Sequence, residues 1–95
     1  MDFDRQFANI EFGAGRLEAA IDGYRKALDA GDHTLWPFAS LAAAYALLGK
    51  MDEAKRYLAE TLRLNPNFTI KWFREHAEDI PTRNEGLRKA GFAEE

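Results

Sequence analysis

An all-α fold is predicted by three features of this 95-residue sequence. Its glycines, small residues and large apolar residues recur after 34 positions, so that Gly15 falls on Gly49 and Ala20 on Ala54. Apolar and small residues of the second copy recur at helical spacing. β-Branched residues are few and no apolar–polar alternation persists, which disfavours strands. We therefore expect about two and a half helical hairpins plus a C-terminal capping helix.

The first hairpin is expected from helices over residues 3–12 and 16–30. Gly15 supplies the chain reversal between them, because glycine adopts a positive φ without steric cost. Gly31 follows the second helix, at the place where a terminating glycine is common.

The second hairpin is expected from helices over residues 35–48 and 51–64, with Gly49 at the reversal. Pro37 falls in a first helical turn, where proline is tolerated, and Thr34 is the candidate N-cap. Each helix carries one face of apolar or small residues at i, i+3, i+4 and i+7. These faces consist of Phe38, Leu41, Ala42 and Tyr45, then of Ala54, Leu58, Thr61 and Leu62.

The remaining chain predicts two further helices, over residues 68–79 and 82–90. Asn65-Pro66-Asn67 breaks the chain before the first of them, and Pro81 begins the last. We expect one domain over residues 1–95, with repeat 1 at about 1–34, repeat 2 at about 35–68, and a half-repeat with its capping helix at 69–95.

The stretch FASLAAAYALLGKMDEAKRYLAETLRLNP resembles the tetratricopeptide repeat (TPR) family, whose 34-residue unit is a pair of helices. The earlier copy is less regular, since Asp4 and Glu11 stand where the family has large apolar residues and Asp32 replaces the terminal proline. The resemblance implies an α-α superhelix in which alanines let helices approach closely while Phe7, Tyr24 and other large side chains fill the remaining space. The repeat positions are Phe7, Ala8, Gly15, Ala20, Tyr24, Ala27, Leu41, Ala42, Tyr45, Gly49, Ala54, Leu58 and Pro66.

Enzymatic chemistry is not predicted. Gly13-Ala14-Gly15 has no strand before it, no third glycine and no following Gly-Lys-Ser or Gly-Lys-Thr, so it indicates a turn rather than a phosphate loop. His33 and His76 lack metal-ligand spacing, and the absence of cysteine excludes thiolate sites. We expect no catalytic residue, no cofactor and no metal.

Composition also limits the partners. A net charge of −3 without a concentrated basic face disfavours nucleic acid. The longest uncharged run, residues 34–49, is too short to span a membrane, and the N-terminus is acidic where a signal peptide is basic. Together with the lack of cysteine, these features predict a cytoplasmic protein that does not bind membranes.

The tail EGLRKAGFAEE is similar to the C-terminal ends of bacterial proteins in which TPR-like repeats follow a class III nucleotide cyclase or another signalling domain. Residues 85–92 carry the similarity. It implies that the chain is a regulatory or scaffolding end of a larger bacterial signalling protein, or a relative that has lost the rest.

In the TPR family, the inward-facing positions of each unit line a concave groove that binds protein segments. The resemblance implies that aromatic residues at these positions supply apolar contacts, and that arginines and an asparagine at these positions orient the ligand. The expected partner-binding residues are Arg5, Asn9, Phe12, Trp36, Ala39, Ala43, Ile70, Phe73 and Arg74, with Asp2, Ala46, Ala77 and Ile80 at further inward-facing places.

The predicted function is therefore that of a helical-repeat adaptor for a protein or peptide ligand. Arg5, Asn9 and Arg74 resemble in kind the TPR residues that hold a C-terminal carboxylate, whereas Ser40 and Ile70 depart from that arrangement. Self-association is the alternative, because repeat ends leave aromatic surface uncovered. A small enzyme would need a polar pocket that the sequence does not indicate.

Overall fold

Helices account for every regular element between residues 2 and 95, the part of the protein that this computed structural model describes, with side chains from Asp4 onward. The helices are α1 (Asp2–Gly13), α2 (Leu17–Asp29), α3 (Leu35–Leu47), α4 (Met51–Leu64), α5 (Ile70–His76) and α6 (Pro81–Ala90). The prediction of an all-α fold is confirmed, and each predicted helix overlaps an observed one. None of these helices is long and apolar enough to cross a lipid bilayer.

Gly15 and Gly49 make the same turn. Each lies in a three-residue loop between two helices, with φ of 82° and 79°. In both turns the N–H of the residue after the glycine donates to the carbonyl oxygen five residues earlier. Arg16 donates to Glu11 and Lys50 to Tyr45, and the N–O distance is 2.9 Å in both. These bonds satisfy carbonyls at the end of a helix. The same turn thus recurs after 34 residues, and the prediction that Gly15 and Gly49 reverse the chain between helices is confirmed.

Small residues set the distance between paired helices. A Cβ added at Gly23 of α2 would lie 2.8 Å from the Cβ of Ala8 on α1, so the two backbones meet there. Ala20 and Ala54, at equivalent places in the two hairpins, are both fully buried. Larger side chains such as Tyr24 fill the space around these contacts in one shared hydrophobic cluster.

The helix α5 is shorter than the predicted span of residues 68–79. Pro81 contributes to this early end. A proline ring disfavours the helical conformation of the preceding residue and clashes with the carbonyl group of the residue four positions earlier. Ala77 and Ile80 are accordingly extended. At the other end, the Thr69 hydroxyl caps α5 by accepting the N–H of Trp72 at 3.0 Å.

Two side chains of the first hairpin region differ from expectation. Thr34 precedes α3 but makes no capping bond, since its hydroxyl oxygen accepts from Nη1 of Arg5 and its O–H donates to Asp32. Phe7, expected to fill space between helices, is 47% exposed. The helix α2 packs on both α1 and α3, whereas no described helix precedes α1 to cover its outer face.

The helix α6 packs mainly on α3, with smaller contacts to α1, α4 and α5. Gly86 permits this packing, since a Cβ there would lie 2.5 Å from the carbonyl oxygen of Ala43. Gly91, with φ of 109°, ends the helix. The chain then returns to α5, whose first two N–H groups donate to the carbonyls of Ala93 and Glu94 at 2.9 Å. The C-terminal helix is therefore part of the core and not a cap placed at one end.

Candidate functional site

The face of α1 and α3 that was expected to form an open groove is covered by α6. Ala39 and Ala43 have no exposed surface, and the backbone of α6 lies against Ala43 at Gly86. The small side chains of α3 explain this, because they leave room for a helix to approach closely. The expectation of an accessible groove is therefore wrong for five residues that are at most 1% exposed: Phe12, Ala39, Ala43, Ile70 and Phe73.

A pocket of about 280 Å³ lies at the edge of this covered face. Residues of α1, α3, α5, α6 and the segment between α5 and α6 line it. It brings together four of the predicted partner-binding residues, two from α1 and one each from α3 and α5. We call it the end pocket, and its lining consists of Arg5, Gln6, Asn9, Trp36, Phe73, His76, Ala77, Glu78 and Arg83.

Arg83 of α6 is the buried charge of the end pocket, with only 2% of its surface exposed. Its Nη1 donates to Oδ1 of Asn9 at 3.0 Å and to the hydroxyl of Ser40 at 3.3 Å, and its Nη2 donates to the carbonyl of Glu78 at 2.6 Å. The guanidinium carbon lies 4.7 Å from the ring centre of Phe73. Burial lowers the pKa of Arg83, but an arginine remains protonated in proteins. The end pocket therefore contains a permanent positive charge.

This charge is only partly compensated. Among the side chains from Asp4 to Glu95, no carboxylate forms an ion pair with Arg83. Its Nε is buried and has no hydrogen-bond partner. Glu78 and Asp79 act on it from exposed positions, and Asp79 is itself bonded to Asn84 at 2.7 Å. A buried donor without an acceptor destabilises the fold unless a ligand or water satisfies it.

Asn9 links Arg83 to α2. Its Oδ1 accepts hydrogen bonds from Arg83 and from the hydroxyl of Tyr24, a fully buried residue. Burial raises the pKa of Tyr24, while the positive charge of Arg83 acts in the opposite direction. The phenol is therefore a neutral donor that holds the Asn9 carbonyl group toward Arg83.

Arg5 brings a second guanidinium to the end pocket. Its Nη1 donates to Oδ2 of Asp32 and to the hydroxyl of Thr34, both at 3.1 Å. Burial works to raise the pKa of Asp32, but the hydrogen bonds from Thr34 and the charge of Arg5 outweigh it and hold that pKa below its usual value. The ion pair orients Arg5 at the pocket wall.

Stacked rings extend from the end pocket along α5. Trp36 and Trp72 are stacked with ring centres 5.6 Å apart, and Trp72 stacks in turn on His76 at 4.6 Å. Both tryptophans are half-buried, so part of each indole contacts solvent. We call Trp36, Trp72 and His76 the aromatic edge. It offers apolar area directly beside the polar pocket.

Arg74 does not join the end pocket. It is exposed and pairs with Asp79 at 3.4 Å, so the predicted set of Arg5, Asn9 and Arg74 is not assembled in one place. Among the further inward-facing residues, Ala46 and Ile80 are buried and Ala77 is half-buried, while the side chain of Asp2 lies outside the described residues.

Sequence reasoning missed Arg83 and Gly86, although one signal pointed to α6. Gly86 falls in the middle of a predicted helix, where glycine costs about 1 kcal/mol relative to alanine and therefore calls for a packing reason. Ala90 follows at i+4, which makes a small-residue face on α6. No comparable signal marks Arg83, because a helical arginine is usually a solvated charge.

The C-terminal tail has packing and capping roles in this fold. Gly86 lies against Ala43 of α3, Leu87 is fully buried, and Gly91 ends α6. Phe92 packs against Phe68 with ring centres 4.7 Å apart. These residues hold α6 and the C-terminal segment on the rest of the fold.

No metal site is indicated between residues 4 and 95, where no group of three or more histidine, aspartate and glutamate side chains is arranged to hold an ion. Comparison with protein-family models, with curated proteins and with solved structures found no match to this sequence. The geometry of the end pocket is therefore the basis for assigning a function.

Proposed function

We propose that this protein is an interaction module of the TPR type, an adaptor that binds a partner segment at the end pocket and the aromatic edge. The observation that carries the proposal is the convergence of Arg5, Asn9 and Trp36 on one pocket. The helix α6 fills the rest of the expected groove, so the partner segment binds at its edge.

The composition of this surface suits recognition of a protein. Tryptophan and arginine are the residues that most often dominate binding energy at protein interfaces. A concave site with a few fixed polar groups beside aromatic area supplies both orientation and buried apolar surface. Arg5 and Asn9 are held in place by intramolecular bonds, which lowers the entropic cost of ordering them on binding.

The proposal is tested by blocking the end pocket without disturbing the core. Gln6 is exposed at the pocket rim, so Gln6→Trp should fill the opening and leave the fold intact. Ala59→Trp adds the same side group at an exposed position of α4 and serves as the matched control. Proteins captured from the host lysate should be lost with Gln6→Trp and retained with Ala59→Trp. Equal capture by both variants, at equal thermal stability, would contradict binding at the end pocket.

The cytoplasmic, bacterial signalling setting is part of the same proposal. The similarity of residues 85–92 to the ends of bacterial signalling proteins supports it. Cell fractionation of the bacterial host, followed by identification of the captured protein, would test both the compartment and the pathway.

Self-association is the second candidate function, and exposed apolar residues of α1 favour it. Phe7 and Ile10 are 47% and 66% exposed and lie three positions apart, on one face of the helix. Two copies could bury these residues against each other. Light scattering over a concentration series would show dimers that Ile10→Glu abolishes. A monomer at high micromolar concentration would contradict this candidate and leave the adaptor proposal standing.

A further inference from the structure

The outer face of α1 is exposed at a place where the equivalent face of α3 is covered. Phe7 corresponds to Leu41 of α3, 34 positions later in the sequence, and Leu41 has no exposed surface. Ile10 corresponds in the same way to Ala44, which is also fully buried. Phe7 and Ile10 are instead 47% and 66% exposed. The helix α2 packs on α3, and no described helix packs on α1 in that manner, so a helix fits on this face.

The other end of the stack does not offer a matching helix. In a head-to-tail arrangement, α4 of one copy would lie on α1 of the next copy, as α2 lies on α3. Lys55 of α4 stands at the place of Ile21 in α2, and Lys55 is exposed whereas Ile21 is buried. Placing the Lys55 ammonium group against Phe7 and Ile10 would bury a charge in apolar surface, which is costly. A contact in which two copies use the same face avoids this cost.

The two edges of this apolar face differ in charge. At 3.6 residues per turn, Asp4 and Glu11 lie on one edge and Gln6 lies on the other. Both acids are half-buried, and Glu11 forms an ion pair with Arg16. Gln6 is at the rim of the end pocket, where Arg83 supplies a positive charge. The face therefore has an acidic edge on one side and borders a positively charged pocket on the other.

We propose that two copies of this protein pack through the outer face of α1 about a two-fold axis parallel to the helices. Opposite edges meet in that arrangement, as in a parallel coiled coil, so the acidic edge of each copy faces Gln6 and the end pocket of the other. An antiparallel pair would bring the two acidic edges together. The inference rests on self-association, the second candidate function. It adds the orientation of the two copies and the contribution of Asp4 of the partner subunit to the rim of the end pocket.

A contact made by two apolar side chains per copy is small, so the dimer should be weak. We expect a Kd on the order of 100 μM, which sedimentation equilibrium from about 10 μM to about 1 mM measures. Ile10→Glu should leave a monomer at every concentration, because it places a charge at the centre of the contact. Ala59→Glu adds the same carboxylate at an exposed position of α4 and should leave the Kd unchanged.

Charge at Gln6 tests the orientation of the two copies, and Gln6 is exposed, so its substitution should leave the fold intact. Gln6→Lys should tighten the dimer by roughly threefold to tenfold, because each added ammonium group faces Asp4 of the partner subunit. Gln6→Glu should weaken it by a similar factor. In an antiparallel pair both variants would weaken the dimer, because the substituted residues would lie on facing edges. Ala59→Lys and Ala59→Glu are the matched controls for added charge.

The inference would be overturned by a wild-type protein that stays monomeric at about 1 mM. It would also be overturned by a dimer that Ile10→Glu leaves intact, or by equal responses to Gln6→Lys and Gln6→Glu. A dimer insensitive to all three variants would keep self-association and reject its placement on α1. Lysate capture is a separate measurement: pocket-dependent capture by a monomeric protein would reject this inference and leave the adaptor proposal in place. A dimer that responds to charge at Gln6, without such capture, would do the reverse.

Discussion

Nη1 of Arg83 donates a hydrogen bond to Oδ1 of Asn9 at 3.0 Å, across 74 positions of the sequence. The bond joins the first helix to the last inside the face that sequence analysis assigned to an open groove. It also makes α6 part of the candidate site, because Arg83 lines the end pocket from that helix.

Asn9→Asp should increase stability by giving Arg83 a carboxylate partner of nearly the same shape. Hydrogen bonds to charged groups contribute more than neutral ones, so the free energy of unfolding should rise by about 1 kcal/mol at neutral pH. Urea denaturation measures this change. A loss of stability in this variant would show that Arg83 is already compensated in the wild-type protein.

Gly86→Ala should destabilise the protein, although alanine is normally the better residue inside a helix. The added Cβ would lie 2.5 Å from the carbonyl oxygen of Ala43, so α6 must move away from α3. We expect a loss of about 1–3 kcal/mol in the free energy of unfolding, as for overpacked cores. Gly13→Ala is the matched control, since its Cβ would meet only the Ile80 side chain at 4.0 Å. Equal or greater stability of Gly86→Ala would contradict the close contact of the two helices.

Gly15→Ala and Gly49→Ala should cost the same amount. Both glycines have a positive φ near 80°, and neither has an atom within 4 Å of an added Cβ, so only backbone strain changes. Left-handed conformation costs an alanine about 1–2 kcal/mol. Equal losses in urea denaturation would support the equivalence of the two turns. A clear difference between the two variants would mean that the hairpins are not true repeats of each other.

The stability of the protein should fall as pH rises through the range in which tyrosine ionises, and Tyr24 should account for part of the fall. Burial raises the folded-state pKa of Tyr24 above the unfolded value of about 10. Its contribution is therefore complete below pH 10 and decreases above it, because the unfolded chain loses the proton first. Tyr24→Phe should be about 1 kcal/mol less stable at neutral pH, through loss of the bond to Asn9.

The difference between wild type and Tyr24→Phe should shrink as the pH rises above about 10, because the unfolded chain loses the tyrosine proton first. Urea denaturation at several pH values checks this. A difference that stays constant over this range would contradict a raised pKa at Tyr24.

Local patterns in the sequence were enough to predict most of the fold. Helices and turns are determined by residues close together in the sequence, such as Gly15, Gly49 and Pro81. Most helices therefore begin and end close to the predicted positions. The placement of α6 was not predictable in this way, because the contact of Gly86 with Ala43 joins residues far apart in sequence.

The candidate site was predicted only in part, because it also depends on the placement of α6. The resemblance placed Arg5, Asn9 and Trp36 on one face, and the end pocket contains all three. It also placed Ala39 and Ala43 on an open surface, because a repeat unit considered alone does not include the helix that covers it. The burial of α6 against that face determines which residues remain accessible.

The position of α6 is therefore the central claim, and NMR measures it most directly. Proton–proton NOEs between the α-protons of Gly86 and the methyl group of Ala43 should be strong, with amide protons of α6 protected from solvent exchange. Absence of those NOEs, together with unprotected amides from residue 81 to 90, would contradict the account and leave the face of α1 and α3 open.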